Sequence, residues 1–212
     1  MKTHHTIALA LTAPWVVLLG YDFGHRVATG DGTWVTDSDL IDNTVLSFLG
    51  TWAIGIMFAS LAWVVHKERE HFAGAPKAAR WARRPLLVSL IALTLGFCLV
   101  SSAQVALSVD SGFFYDASGL VAFLAISALS LSALTVGLAS ARSMALGYGG
   151  RILALVLPTV VLGIVTALLA DFPASPVFGT FVTLIGLATL GMGAERPTTG
   201  RVDPSALQVN GQ

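Results

Sequence analysis

The chain is poor in the residues that carry most protein chemistry. Among 212 residues there are one cysteine and five histidines, and 11% are charged against 55% hydrophobic. Soluble domains run at about 25% charged, so the deficit is large. The lone Cys98 has no partner for an internal disulfide, and quinone-linked thiol oxidation, which needs cysteine pairs, is excluded. Six stretches, Thr6–Tyr21, Thr44–Val65, Pro85–Val109, Ser118–Ser140, Ile152–Ala170 and Val177–Ala194, contain no Asp, Glu, Lys, Arg or His. That distribution excludes a soluble enzyme and a disordered chain. It also excludes a nucleic-acid binder, which needs a basic face.

The same absences restrict membrane chemistry. A retinal site needs a lysine inside a helix, and Lys2, Lys67 and Lys77 all lie outside the apolar stretches. Haem b held between helices needs histidines within them, and there are none. A His-Glu-x-x-His helix for zinc proteolysis and a Ser–His pair for serine proteolysis are both missing. Proton-coupled transport keeps an ionisable group within a span because such groups are costly there. None of the six stretches has one. The expectation is a protein that is not an enzyme and has no cofactor or metal site.

What is present is hydrophobic length. A bilayer core about 30 Å thick takes roughly 20 helical residues. Spans two, three and four, at 22, 25 and 23 residues, exceed that, and spans five and six, at 19 and 18, are adequate. The first is shortest, with 16 residues and Pro14 inside it. Met1-Lys2 ahead of it resembles the start of a signal peptide, but Tyr21-Asp22-Phe23 follows where a small-residue cleavage site would stand, so the helix is read as uncleaved.

Charge sets the orientation, since Lys and Arg flanking spans stay on the cytoplasmic side. Six spans place 11 of the 12 basic residues on one side, leaving Arg26 alone on the other with eight Asp residues. Dropping any span scrambles this partition. The fold class expected is therefore all-α, a polytopic six-helix transmembrane bundle in the cell membrane with both termini cytoplasmic. Residues 1–196 form a single membrane domain, and 197–212 a polar, disordered cytoplasmic tail. Arg80-Trp81-Ala82-Arg83-Arg84 follows the positive-inside pattern, with an indole at head-group depth.

Three packing signals accompany the spans. Gly55 with Ala59, Ala133 with Gly137 and Ala141, and Gly179 with Thr183 are small residues spaced by four, which lets helix backbones approach in lipid. Ala145–Gly150 reads as a flexible turn, and Gly24, Gly30, Gly32 and Trp34 suggest an ordered outer cap. Leu9-Ala10-Leu11-x-x-Pro14 is echoed by Leu153-Ala154-Leu155-x-x-Pro158, but spans two and six do not align after it.

The remaining polarity collects at the outer ends of the spans. Ser101, Gln104 and Ser108 share one face of span three, Asp42 and Asn43 open span two, and Tyr115 and Asp116 precede span four. Their competing readings are a polar pocket under the acidic loop and, more simply, helix caps at Asp42, Asn43 and Asp116 with Gln104 bonded to a neighbouring helix. Asp37, Asp39 and Asp42 lack EF-hand spacing and its terminal glutamate. His66 and His71 read as solvated at the inner surface.

Ser38-Asp39-Leu40 ahead of span two and Asp116-Ala117-Ser118-Gly119-Leu120-Val121-Ala122-Phe123 opening span four resemble an uncharacterised prokaryotic membrane family, domain of unknown function 998. The resemblance implies six spans and a polar first outer loop, and brings no activity. That family's pattern has His before the second Asp where this chain has Tyr115, which argues against a proton-transfer or metal role there. The functional expectation is an assembly or accessory protein that binds membrane lipids, a membrane-protein partner or a second copy of itself. The alternative is a small-solute transporter or channel.

Overall fold

The computed structural model describes residues 2–35, 43–170 and 177–194. Helices follow the apolar stretches in chain order: α1 (Thr3–Thr29), α2 (Thr44–Lys67), α3 (Arg69–Ala73), α4 (Lys77–Leu95), a π-helical stretch (Gly96–Ser101), α5 (Ser102–Leu107), α6 (Phe113–Ser140), α7 (Gly147–Ala154), α8 (Val156–Ala170) and α9 (Val177–Ala188). No strand occurs among the described residues. Five segments are long and apolar enough to cross a membrane: Thr3–Thr29, Thr44–Lys67, Lys77–Leu107, Phe113–Ser140 and Gly147–Val165. Gly179–Ala188 is a shorter apolar helix.

The polarity of the bundle is that of a protein solvated by lipid. Leu107, Phe113, Phe123, Leu131 and Leu162 project outward, while His5, Thr12, Glu68, Ser89, Ser102 and Ser140 are buried. An apolar exterior this continuous would be an aggregation surface in water, so a membrane is its fitting solvent. Each long helix packs on the next in sequence, α1 on α2, α2 on α4, α4 on α6 and α6 on α7. The last, α9, contacts α7 and returns to α1, closing the ring.

Small residues set the close approaches, as their spacing predicts. A methyl group on Gly55 would collide with the Cys98 sulfur, and one on Gly137 with the Leu153 backbone. Gly179 faces Val160 across the α8–α9 contact. Without strong hydrophobic drive between helices in lipid, such van der Waals contacts carry much of the association.

Three expectations are corrected. The first helix is not a marginal 16-residue span: α1 runs 27 residues, because Asp22 and Arg26 pair one turn apart and let the helix continue past Tyr21 to Gly30, its left-handed C-cap. Gly147–Gly150 is not a flexible turn but the start of α7. Gly147 takes φ +62° against the Met192 carbonyl, and Gly149 lies on the Leu190 backbone. The sixth apolar stretch is not helical throughout. α9 ends at Ala188, and Gly191 and Gly193 adopt positive φ, folding the chain onto α7 through Gly191 N–H to Leu146 O and Tyr148 N–H to Met192 O. The two echoed prolines are also placed differently: Pro14 sits inside a continuous helix, whereas the helix breaks at Leu155, three residues before Pro158. Proline removes the hydrogen bond to the carbonyl four residues back, here that of Ala154.

The segment after α1 is described through Val35 and folds back on Asp22. The Thr33 backbone N–H and hydroxyl both donate to Asp22 Oδ1 at 2.7 Å, and Arg26 Nε donates to Asp22 Oδ2 at 3.0 Å. Ser38-Asp39-Leu40, Asp37, Asp42, the 171–176 connection and the tail from 197 lie outside the described residues.

Candidate functional site

Two polar clusters occupy opposite ends of α2. Thr51, near its start, hydrogen-bonds Ser102 at 2.9 Å, and Glu68 follows its last residue. At about 1.5 Å per residue the two positions are about 25 Å apart along the helix axis.

The first cluster contains part of the polar set expected from the sequence. The π-helical stretch widens span three at Gly96–Ser101, and the Ser102 hydroxyl donates back to the Phe97 carbonyl at 2.9 Å. Such bulges insert an extra residue into a turn and often mark functional positions. Here the bulge faces α6 across a groove of about 430 Å³. Its length is lined by Leu93, Gly96, Phe97, Val100, Val121 and Ala122, with Ser101, Gln104, Tyr115 and Ser118 also contributing. Gln104 Nε2 donates to the Ser118 hydroxyl at 2.8 Å, which donates to the Tyr115 carbonyl at 2.7 Å. Gln104 thus bonds a neighbouring helix, as the simpler reading holds.

The other residues of the expected set are placed elsewhere. Asn43 caps α2, accepting from Val45 N–H and Leu46 N–H at 3.0 and 3.2 Å. Ser108 is the exposed left-handed C-cap of α5 with φ 50°. Asp116 lies exposed in the first turn of α6 rather than at its cap, because the helix begins at Phe113 after Gly112. Neither Asn43, Ser108 nor Asp116 lines the groove. Asp42 falls outside the described residues.

The second cluster was not anticipated. Glu68, at the hinge between α2 and α3, has a side chain with no exposure at all. Lys2 Nζ donates to both of its oxygens at 2.8 and 3.0 Å, and His4 Nε2 donates to Oε1 at 2.6 Å. His71 Nδ1 lies 2.7 Å from Oε2. The reading of His71 as solvated is therefore corrected: a turn of helix after Glu68 returns it to the carboxylate. His66, by contrast, is exposed. Burial alone would push the Glu68 carboxyl up. Hydrogen bonds from Lys2 and His4, with the charges of Lys2 and His71, outweigh it and hold the carboxyl below the usual range.

His5 completes the cluster from α1 and is 1% exposed. Its Nδ1 donates to the Ala188 carbonyl on α9 at 3.0 Å. That bond leaves Nε2 of the neutral ring with a bare lone pair. Nε2 has no hydrogen-bond partner and stands 3.4 Å from Glu68 Oε1. The Gly191 backbone, held at φ +83°, closes the far side, where any side chain would strike the Glu68 carboxylate. His4, His5 and Glu68 offer ligand-type atoms all within 4.8 Å of one another.

A sequence signal for this cluster exists in retrospect. Glu68 is one of three glutamates in the chain and stands among basic residues, with Lys2, His4 and His5 the polar residues just ahead of span one. No protein-family model matches the chain, and neither a curated protein nor a solved structure matches it.

Proposed function

We propose that the chain is a non-enzymatic, six-span protein of the cell membrane with both termini cytoplasmic, and that it binds a membrane lipid. The observation that carries this reading is the groove between the π-bulged span three and α6. It is apolar along most of its length and has Ser101, Gln104 and Tyr115 among its lining. An acyl chain matches the apolar part, and hydroxyl and amide groups suit a polar head. Lipid is the occupant the setting supplies, since the groove is formed by two membrane-length apolar segments. The partition of 11 basic residues to one side supports the span count and orientation.

The test fills the groove. A Cβ on Gly119 meets nothing within 4 Å, so Gly119→Leu projects into open space beside the groove it lines. Native mass spectrometry of protein released in mild detergent should show a lipid-sized adduct that Gly119→Leu loses. An adduct retained unchanged by that variant, or none in the parent protein, overturns the reading. Gln104→Cys in a Cys98→Ser background addresses the transporter alternative: rapid reaction with a membrane-impermeant thiol reagent favours a water path over a lipid groove.

A further inference from the structure

We propose that His4, His5 and Glu68 form a binding site for a divalent first-row transition ion, zinc being the representative case, that staples α1 to the α2–α3 hinge beside the end of α9.

His5 is buried in this cluster. A ring 1% exposed, with Nδ1–H fixed on the Ala188 carbonyl, turns Nε2 toward a carboxylate oxygen 3.4 Å away. With the ring neutral, two acceptors face each other there, and Nε2 has no hydrogen-bond partner. Left alone, the arrangement wastes a buried lone pair next to a buried anion. A Lewis acid placed between them satisfies both. The Nδ1–H···O=C bond is also the outer contact that orients metal-ligating histidines and raises their basicity.

Distances agree with this assignment. Bonds of about 2.0–2.1 Å to nitrogen and oxygen in a tetrahedron put neighbouring ligand atoms about 3.4 Å apart. His5 Nε2 and Glu68 Oε1 are 3.4 Å apart. The His4 Nε2–Oε1 contact, at 2.6 Å, is a hydrogen bond, and opening it to the same edge requires a shift of under about 1 Å by a half-buried ring. Two imidazoles and one carboxylate favour zinc, cobalt or nickel over magnesium and calcium, which prefer oxygen donors. The set leaves a fourth position for water.

Lys2 is the built-in competitor. Its ammonium now occupies the carboxylate, but its side chain is 55% exposed and can swing into water. A metal site therefore predicts that removing Lys2 tightens ion binding, whereas a purely structural salt bridge predicts no ion binding to tighten.

The experiment uses the full chain in detergent, free of histidine tags and chelator-treated, titrated with Co²⁺ and then with Zn²⁺ as competitor. One Co²⁺ per chain with visible ligand-field bands, displaced by Zn²⁺, is expected. Glu68→Gln and His5→Gln should each weaken binding at least about tenfold. His5→Gln keeps a donor for the Ala188 carbonyl, so it carries the test if Glu68→Gln fails to fold by circular dichroism. Lys2→Met should strengthen binding about tenfold by removing a like charge that competes for the same carboxylate. Absence of saturable Co²⁺ binding in the parent protein, binding unchanged in His5→Gln, or weaker binding in Lys2→Met overturns the site.

Discussion

The groove and the Glu68 cluster solve the placement of polar groups in opposite ways. At the groove, Gln104, Ser118 and Tyr115 come from two neighbouring segments joined by a short connection, and the Gln104–Ser118 bond spans 14 residues of sequence. The groups are neutral and half-buried or exposed. At Glu68 a fully buried carboxylate takes donors from Lys2 and His4, 66 and 64 residues away, and His5 bonds Ala188 across 183 residues. A neutral amide beside an apolar groove tolerates partial satisfaction. A buried anion does not, so it recruits partners from wherever the fold can bring them. The bundle thus carries a groove at one end and a closed, buried ion cluster at the other.

Substitutions should expose that asymmetry. Glu68→Ala removes the shared partner of Lys2, His4 and His71 and should cost about 3 kcal/mol of stability, read by denaturant or thermal unfolding in detergent. A change below about 1 kcal/mol would place the cluster among weak surface pairs instead. His5→Phe keeps the packing but strands the buried Ala188 carbonyl, with a loss of about 1–3 kcal/mol expected in the same assay. Gln104→Ala breaks one hydrogen bond between helices and should lower stability by about 0.6 kcal/mol only. A Gln104→Ala cost equal to that of Glu68→Ala would erase the difference between the two ends.

The helices were legible because hydropathy is local. Each apolar stretch contains its own instruction, and Gly55, Gly137 and Gly179 announce close approach by being small at the right spacing. Gln104 was legible for the same reason, its partner Ser118 lying just across one turn of chain. The length of α1 was missed because Asp22, Arg26 and His25 look like a loop until the Asp22–Arg26 pair and the Thr33 contacts neutralise them. Glu68 was missed because Lys67-Glu68-Arg69-Glu70 has the composition of a charged, solvated helical extension of span two.

By itself, then, the sequence determined that the chain is helical, apolar over membrane-length stretches and equipped with small-residue seams, since those properties depend on neighbours within one or two turns. Only the tertiary structure decided where α9 stops, which side of α6 the π-bulge faces, and that Lys2, His4, His5 and His71 converge on one carboxylate. The physical reason is range. Hydrophobic burial is set residue by residue, but the pairing of a buried charge is settled by which distant groups the closed ring of helices carries to it.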